Sequence, residues 1–288
     1  MGLGPADPVR NPFLHGSLPS FERFARGARP TLEVAGGSSD PAGVFPLDAT
    51  FGIEGTPQSG TGQSALLTGL DAGAIFGGHF GPWIPVRLRP LVEEQSVLRS
   101  VAGSGGKVAF ANAYPRGWPG PNGSRRIAGP PLAARGAGVL DRHEDALARG
   151  AAVASDIVND GWRDHLGHRH VPRVTPAEAG RNLAAIAEAH DLTLFAHYTT
   201  DTAGHRRDME DAVTALERVD AFLGGVIEEL STDTLLLIAS DHGNIEDVTT
   251  GHTRNPVMGL ALGPGTAEAS KLRDLREVAP FLQRVLGA

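Results

Sequence analysis

An α/β fold, with a largely parallel sheet flanked by helices and a small insertion, is predicted by three features of the 288-residue chain. After about residue 45, short apolar runs of strand length alternate with segments of helical period, the pattern left by strands and their crossover helices. With 41% apolar and 20% charged residues, the chain can fill a full core. The stretch between Pro115 and Pro172, rich in Gly and Pro at its start, interrupts the alternation. The expected organisation is an α/β core of residues 1–114 and 173–288 with a small cap or insertion at 115–172.

Five runs read as strands: FPLDATFGI (45–53), KVAFANAY (107–114), LTLFAHYT (192–199), TLLLIASD (234–241) and VMGLALG (257–263). Helices are expected near 62–70, 87–102, 176–190, 207–230 and 270–286. Thr175 as cap, Pro176 in the first turn and Glu178 three residues after the cap specify one helix start. In the longest helix Met209, Val213, Leu216, Val219, Leu223, Val226, Ile227 and Leu230 recur at steps of mostly three and four, giving one buried stripe.

A net charge of -7 argues against a nucleic-acid partner. Cysteine is absent, so thiolate nucleophiles and zinc–thiolate sites are excluded. No run reaches the ~18 apolar residues of a membrane span, and MGLGPADPVRNPF has no leader-like character. The expectation is a cytoplasmic protein without a membrane partner. The segment GSGGK at 103–107 has the wrong spacing for a phosphate loop and reads as a helix-to-strand turn.

Metal-ligand residue types gather where predicted strands end, which is where open α/β sheets place their sites. Asp201 and His205 lie in TTDTAGH, Asp241 and His242 in SDHGN, and His252 in GHTRNP. One Asp-His pair after a strand reads as a turn, but five such residues at strand ends read as ligands. Carboxylate plus imidazole suits zinc or manganese. A fourth element, TPQSGTGQSALLTG at 56–69, is a Gly-rich turn entering a helix. Gly60 and Gly62 are expected to let the backbone approach an anion. Ser59 fits either a helix cap or a nucleophile activated by a bound metal.

Together these motifs resemble the alkaline phosphatase superfamily, especially the branch of cofactor-independent phosphoglycerate mutase and phosphopentomutase. The order carries the resemblance: an early Ser in SGTGQ, an insertion, Asp-x-x-x-His, Asp-His-Gly, then His-Thr. It implies an alkaline phosphatase-like core with two divalent ions, manganese or zinc. One would be held by Asp201, His205 and His252, the other by Asp241, His242 and Ser59, with Ser59 as the catalytic nucleophile. The implied activity is phosphoryl transfer, in the first instance by a phosphatase acting on a small phosphorylated metabolite through a phosphoserine. A phosphomutase and a degenerate, non-catalytic metal or metabolite binder are the alternatives.

Three departures stand beside the resemblance. Gln63 replaces a histidine of the mutase motif, and the insertion is small for a mutase cap. GLGPADP and Asn11 resemble the segment that follows the family's first metal-ligand aspartate, so the strand and aspartate of an Asp-Gly-x-Gly turn are expected to be encoded just ahead of Met1. Weaker substrate-contact candidates are His79, Asn112, Tyr114, Arg206, Arg207 and Arg254. His197 reads as a core histidine, and Glu246 and Asp247 as outer partners of the ligand histidines or as loop charges.

Overall fold

The structure, a computed structural model, describes residues 1–36, 38–39, 41–120 and 126–288; residues 121–125 of the expected insertion lie outside it. Six strands form two sheets among the described residues: β1 (Ser38–Ser39), β2 (Ala42–Leu47), β3 (Val108–Phe110), β4 (Leu192–Leu194), β5 (Leu236–Ala239) and β6 (Val257–Leu262). The larger sheet has the order β1-β2-β6-β5 and the smaller pairs β3 with β4.

Helices cover both faces, because successive side chains of a strand point to opposite sides. From β5, Leu236 and Ile238 enter one core, built largely by the helices Pro19–Phe24, Pro176–Glu188 and Met209–Glu229. Its Leu237 and Ala239 enter the other, with residues of Ser59–Thr68, Arg89–Gln95, Gly129–Gly136 and Val278–Leu286. Strand β4 divides in the same way: Leu192 and Leu194 join the second core and Phe195, just beyond its end, joins the first.

The α/β class and helical layers agree with the expectation; the largely parallel sheet agrees only in part. The β3–β4 pair is parallel, whereas β1–β2, β2–β6 and β5–β6 are antiparallel. The connection reflects this: a loop, not a crossover helix, joins β5 to β6, and β6 returns antiparallel beside β5. Two predicted helices are also shortened. The one near 87–102 breaks at Ser96, whose Oγ accepts from the Arg99 amide and starts a second helix. Near the C-terminus Asp274 caps a short turn, Leu275–Glu277, before Val278–Leu286.

The capping box at Thr175 and Glu178 forms as its residues specify. The helix it starts lies close against Met209–Glu229, since a Cβ on Gly180 would stand 2.1 Å from the Phe222 carbonyl oxygen. Within the expected insertion, Ile127, Leu132, Ala133 and Ala134 are buried in the second core. Ala146, Leu147, Ala152, Ala154, Trp162 and Val171 form a separate small cluster with Ala113. No described helix is long and apolar enough to cross a membrane.

Candidate metal centre

Asp201 and His205 sit one turn apart on the helix Thr199–Arg206, which follows β4. Positions four apart share a helix face, so both point the same way. Asp241 and His242 follow the end of β5, and His252 lies farther along the same β5–β6 loop. Asp201, His205 and His252 each offer a ligand atom, all within 4.8 Å of one another. Nε2 of His205 and Nε2 of His252 are 3.2 Å apart.

The second expected set adjoins the first through Asp201. Its Oδ1 lies 3.7 Å from His242 Nε2 and 3.6 Å from His252 Nε2, and the two rings stack at 3.9 Å. Asp241 Oδ1 is 3.8 Å from His242 Nε2. Its Oδ2 accepts from Gln63 Nε2 at 2.9 Å, while Gln63 Oε1 accepts from the Gly129 amide.

Hydrogen bonds orient the candidate ligands. Nδ1 of His252 faces the Pro57 carbonyl oxygen at 2.9 Å and must carry its proton there, which leaves the Nε2 lone pair for a cation. Burial works against charge on Asp201, but the bond to His252, the proximity of His242 and the Asn244 amide hold its carboxyl well below the usual range. Asn244 Nδ2 donates to Asp201 Oδ1 at 2.6 Å. Burial lowers the His242 pKa; that of His252 is raised despite burial, because the Asp201 carboxylate faces it. A carboxylate between imidazoles is a donor set that fits zinc or manganese.

Ser59 is the first residue of the helix Ser59–Thr68, and the N-cap is Gln58. The Ser59 hydroxyl is therefore not the cap. It is buried and lies 2.8 Å from His242 Nε2. The glycines after it stand close to neighbouring backbone. A Cβ on Gly60 would stand 2.3 Å from the Trp83 carbonyl oxygen, and one on Gly62 would stand 2.3 Å from that of Asp241. Their smallness lets the helix start press directly against the ligand loop.

Glu246 is fully buried and bonds to four partners: the Gly2 amide at 2.6 Å, the Asn244 amide at 2.8 Å, Asn255 Nδ2 at 3.3 Å and the Thr253 hydroxyl. It braces the ligand loop without touching a ligand histidine. Asp247 instead accepts from Thr249 in a local turn. At the start of the chain, the Met1 amino group bonds to Ser240 Oγ at 2.6 Å and to the His242 carbonyl oxygen at 3.0 Å.

The weaker candidates fall elsewhere. Asn112 spends both amide atoms on the Ala196 backbone, tying the ends of β3 and β4 together. Arg206 pairs with Asp211 at 3.1 Å, Arg254 donates to the Gly55 carbonyl, and Arg207 is exposed. The His79 ring lies 6.0 Å from Phe51. His197 has its Nε2 shut off from solvent and its Nδ1 on the Ser155 carbonyl oxygen. Of the substrate candidates, Tyr114 alone shares a cleft with Ser59 and Asp201.

Residues 172–285, which hold five of the six candidate ligands, match the Metalloenzyme superfamily. A 2,3-bisphosphoglycerate-independent phosphoglycerate mutase from Desulforudis audaxviator is 33% identical over 125 residues, covering 40% of this chain and 25% of its own length. The chain thus spans about a quarter of the length of such relatives. A Pyrococcus horikoshii protein of known structure is 13% identical with a TM-score of 0.58, over 99% of this chain and 94% of that one. The alkaline phosphatase of the Antarctic bacterium TAB5 is 12% identical with a TM-score of 0.50, over 86% and 89%. Over residues 172–285 the chain is thus similar to the Metalloenzyme superfamily, and its fold is that of alkaline phosphatase-like structures.

Proposed function

We propose that this chain is a metal-dependent phosphoryl-transfer enzyme, a phosphatase of small phosphorylated metabolites that works through a phosphoserine at Ser59. The observation that carries this reading is the buried Ser59 hydroxyl, 2.8 Å from His242 Nε2 and beside a ready three-residue ligand set.

Asp201, His205 and His252 would hold one divalent ion, and Asp241, His242 and Ser59 a second. Manganese or zinc supplies charge neutralisation for the phosphoryl oxygens and eases ionisation of the serine hydroxyl. Ser59 Oγ attacks phosphorus in line with the departing alcohol. His242 Nε2 lies beside the hydroxyl with its lone pair available, since its Nδ1 faces the Gly243 carbonyl oxygen and is the protonated nitrogen; that lone pair would go to the ion, and the hydroxyl proton would leave to solvent as the serine ionises. Asn244 and Gln63 fix the two carboxylates, so neither must be reoriented when substrate arrives. Water then attacks phosphorus in the phosphoserine, and orthophosphate leaves.

A phosphomutase reading is favoured by the name of the Desulforudis relative. In that case the phosphoryl group returns to a second hydroxyl of the substrate before water enters. Incubating the manganese-loaded protein with phosphorylated metabolites separates the two, because orthophosphate release marks the phosphatase and a positional isomer marks the mutase. If neither product forms and Ser59 takes up no label from a radioactive phosphate ester, the proposal fails and the non-catalytic alternative stands.

A further inference from the structure

All three tryptophans and both tyrosines of the chain line one cleft beside Ser59 and Asp201. It has a volume of about 490 Å³, enough for a small-molecule ligand. Trp83 comes from the bend between the helix Ala72–Phe76 and the short turn Val86–Leu88, while Trp118 and Trp162 come from the stretch 115–172. Five aromatic residues from four separate segments therefore converge on a site whose reaction, as proposed above, needs none of them.

The rings are held in place. Tyr114 meets Trp118 edge-on with centres 5.3 Å apart, and the Arg135 guanidinium lies 5.9 Å from the Trp118 ring centre. The Tyr114 and Tyr198 hydroxyls lie 3.4 Å apart, within hydrogen-bond reach. Burial raises both their pKa values, that of Tyr114 to about 12, so the hydroxyls stay neutral. Gln63 has its amide committed to Asp241 and Gly129.

Charge on the cleft wall is sparse. Among the described residues Arg126 is the one cation that lines the cleft, and it has no hydrogen bond or ion pair with any of them. A substrate bearing a second phosphate or several carboxylates needs more than one cation. Aromatic faces instead reward a flat, weakly charged group by stacking.

We propose that the cleft binds the leaving-group side of the substrate, and that the substrate class is a phosphate monoester whose alcohol carries a planar aromatic or heteroaromatic ring. The ring stacks among Trp83, Trp118 and Tyr114 while the phosphate reaches Ser59. The phosphate half of this proposal rests on the phosphoryl-transfer reading; the ring half does not. In the reaction the P–O bond to the ring-bearing alcohol breaks as the bond to Ser59 forms. The Ser59 proton is lost to solvent, the departing oxygen takes a proton from solvent, and water then releases orthophosphate.

The test compares two esters of simple primary alcohols, 2-(1-naphthyl)ethyl phosphate and n-butyl phosphate, so that leaving-group acidity does not favour the aromatic one. It uses the full manganese-loaded chain. The expected kcat/KM ratio is at least tenfold in favour of the naphthyl ester, falling towards one in Trp118→Leu and Trp83→Leu. Two variants are used so that misfolding of one leaves the comparison intact. Binding is read separately in Ser59→Ala with 2-(1-naphthyl)ethylphosphonate and butylphosphonate. Because every tryptophan lines the cleft, the naphthyl compound quenches most of the emission, and it binds at least tenfold more tightly than the butyl compound. Equal binding and equal turnover of the two classes overturns the ring site. If the naphthyl phosphonate binds preferentially while neither ester is hydrolysed by wild type, the ring site stands and the phosphoryl-transfer reading falls.

Discussion

The Ser59 hydroxyl and His242 Nε2 lie 2.8 Å apart although 183 positions separate them in sequence. The β5–β6 loop brings the imidazole to the first turn of a helix that follows β2, so candidate nucleophile and candidate ligand belong to one packed unit.

Replacing Ser59 with Ala is expected to lower turnover by at least about 10³-fold, because the attacking oxygen is gone. Fold and binding at Asp201, His205 and His252 should persist, since Ser59 caps no helix. Orthophosphate release and thermal unfolding, measured together, check this. Near wild-type hydrolysis by the variant would move the nucleophile away from residue 59.

Asn244→Ala removes the amide that orients Asp201 while leaving all candidate ligands in place. Loss of such an outer partner typically costs about 10- to 100-fold in metal affinity. Titration calorimetry with manganese or zinc measures it. An unchanged dissociation constant would show that Asp201 needs no orienting partner. Asp201→Asn should cost more than Asn244→Ala, because Asp201 adjoins both ligand sets.

Gly62→Ala forces a methyl group against the Asp241 carbonyl oxygen, where a Cβ has only 2.3 Å. Overpacking of this kind costs about 1–3 kcal/mol, and the strain falls on a ligand loop. Gly103→Ala is the control, since a Cβ there meets nothing within 4 Å. Urea unfolding should show a loss for the first variant and none for the second; equal stability of both would contradict the close approach.

Burial pushes the His197 imidazole from 6.5 down to about 4. Between those values the unfolded chain binds a proton that the folded chain refuses, so this contribution is fully present above pH 6.5 and is lost as pH falls towards 4. The full effect is on the order of 3 kcal/mol, or roughly 1 kcal/mol between pH 6 and pH 5. Urea midpoints of wild type and His197→Gln across that range give the difference. Parallel profiles for the two proteins would rule out a silenced imidazole at 197.

Much of the α/β layering was legible because strand alternation and helix stripes are local signals. The capping box at Thr175 and the stripe of Met209–Glu229 needed only neighbours in sequence. Strand direction did not follow from the same signals, since TLLLIASD and VMGLALG read alike whether paired parallel or antiparallel. At the site, residue types at strand ends marked the candidate ligands. The roles of Gln63, Asn244 and Glu246 stayed hidden, because each depends on partners that no spacing rule brings together. Gly60 and Gly62 could be read as special, but their purpose could not: an approach to a carbonyl oxygen and an approach to an anion ask the same of a glycine. The aromatic cleft was scattered over positions 83 to 198 and had no periodicity to announce it.

Glu246 links Gly2, Asn244, Thr253 and Asn255 through bonds that involve no ligand atom of the centre. The loop is therefore anchored by the protein itself, independently of any cation. An ion can leave and another enter without the chain refolding, so the centre should behave as an exchangeable socket. Its identity in a cell would then follow the supply of free metals at least as much as the history of the polypeptide.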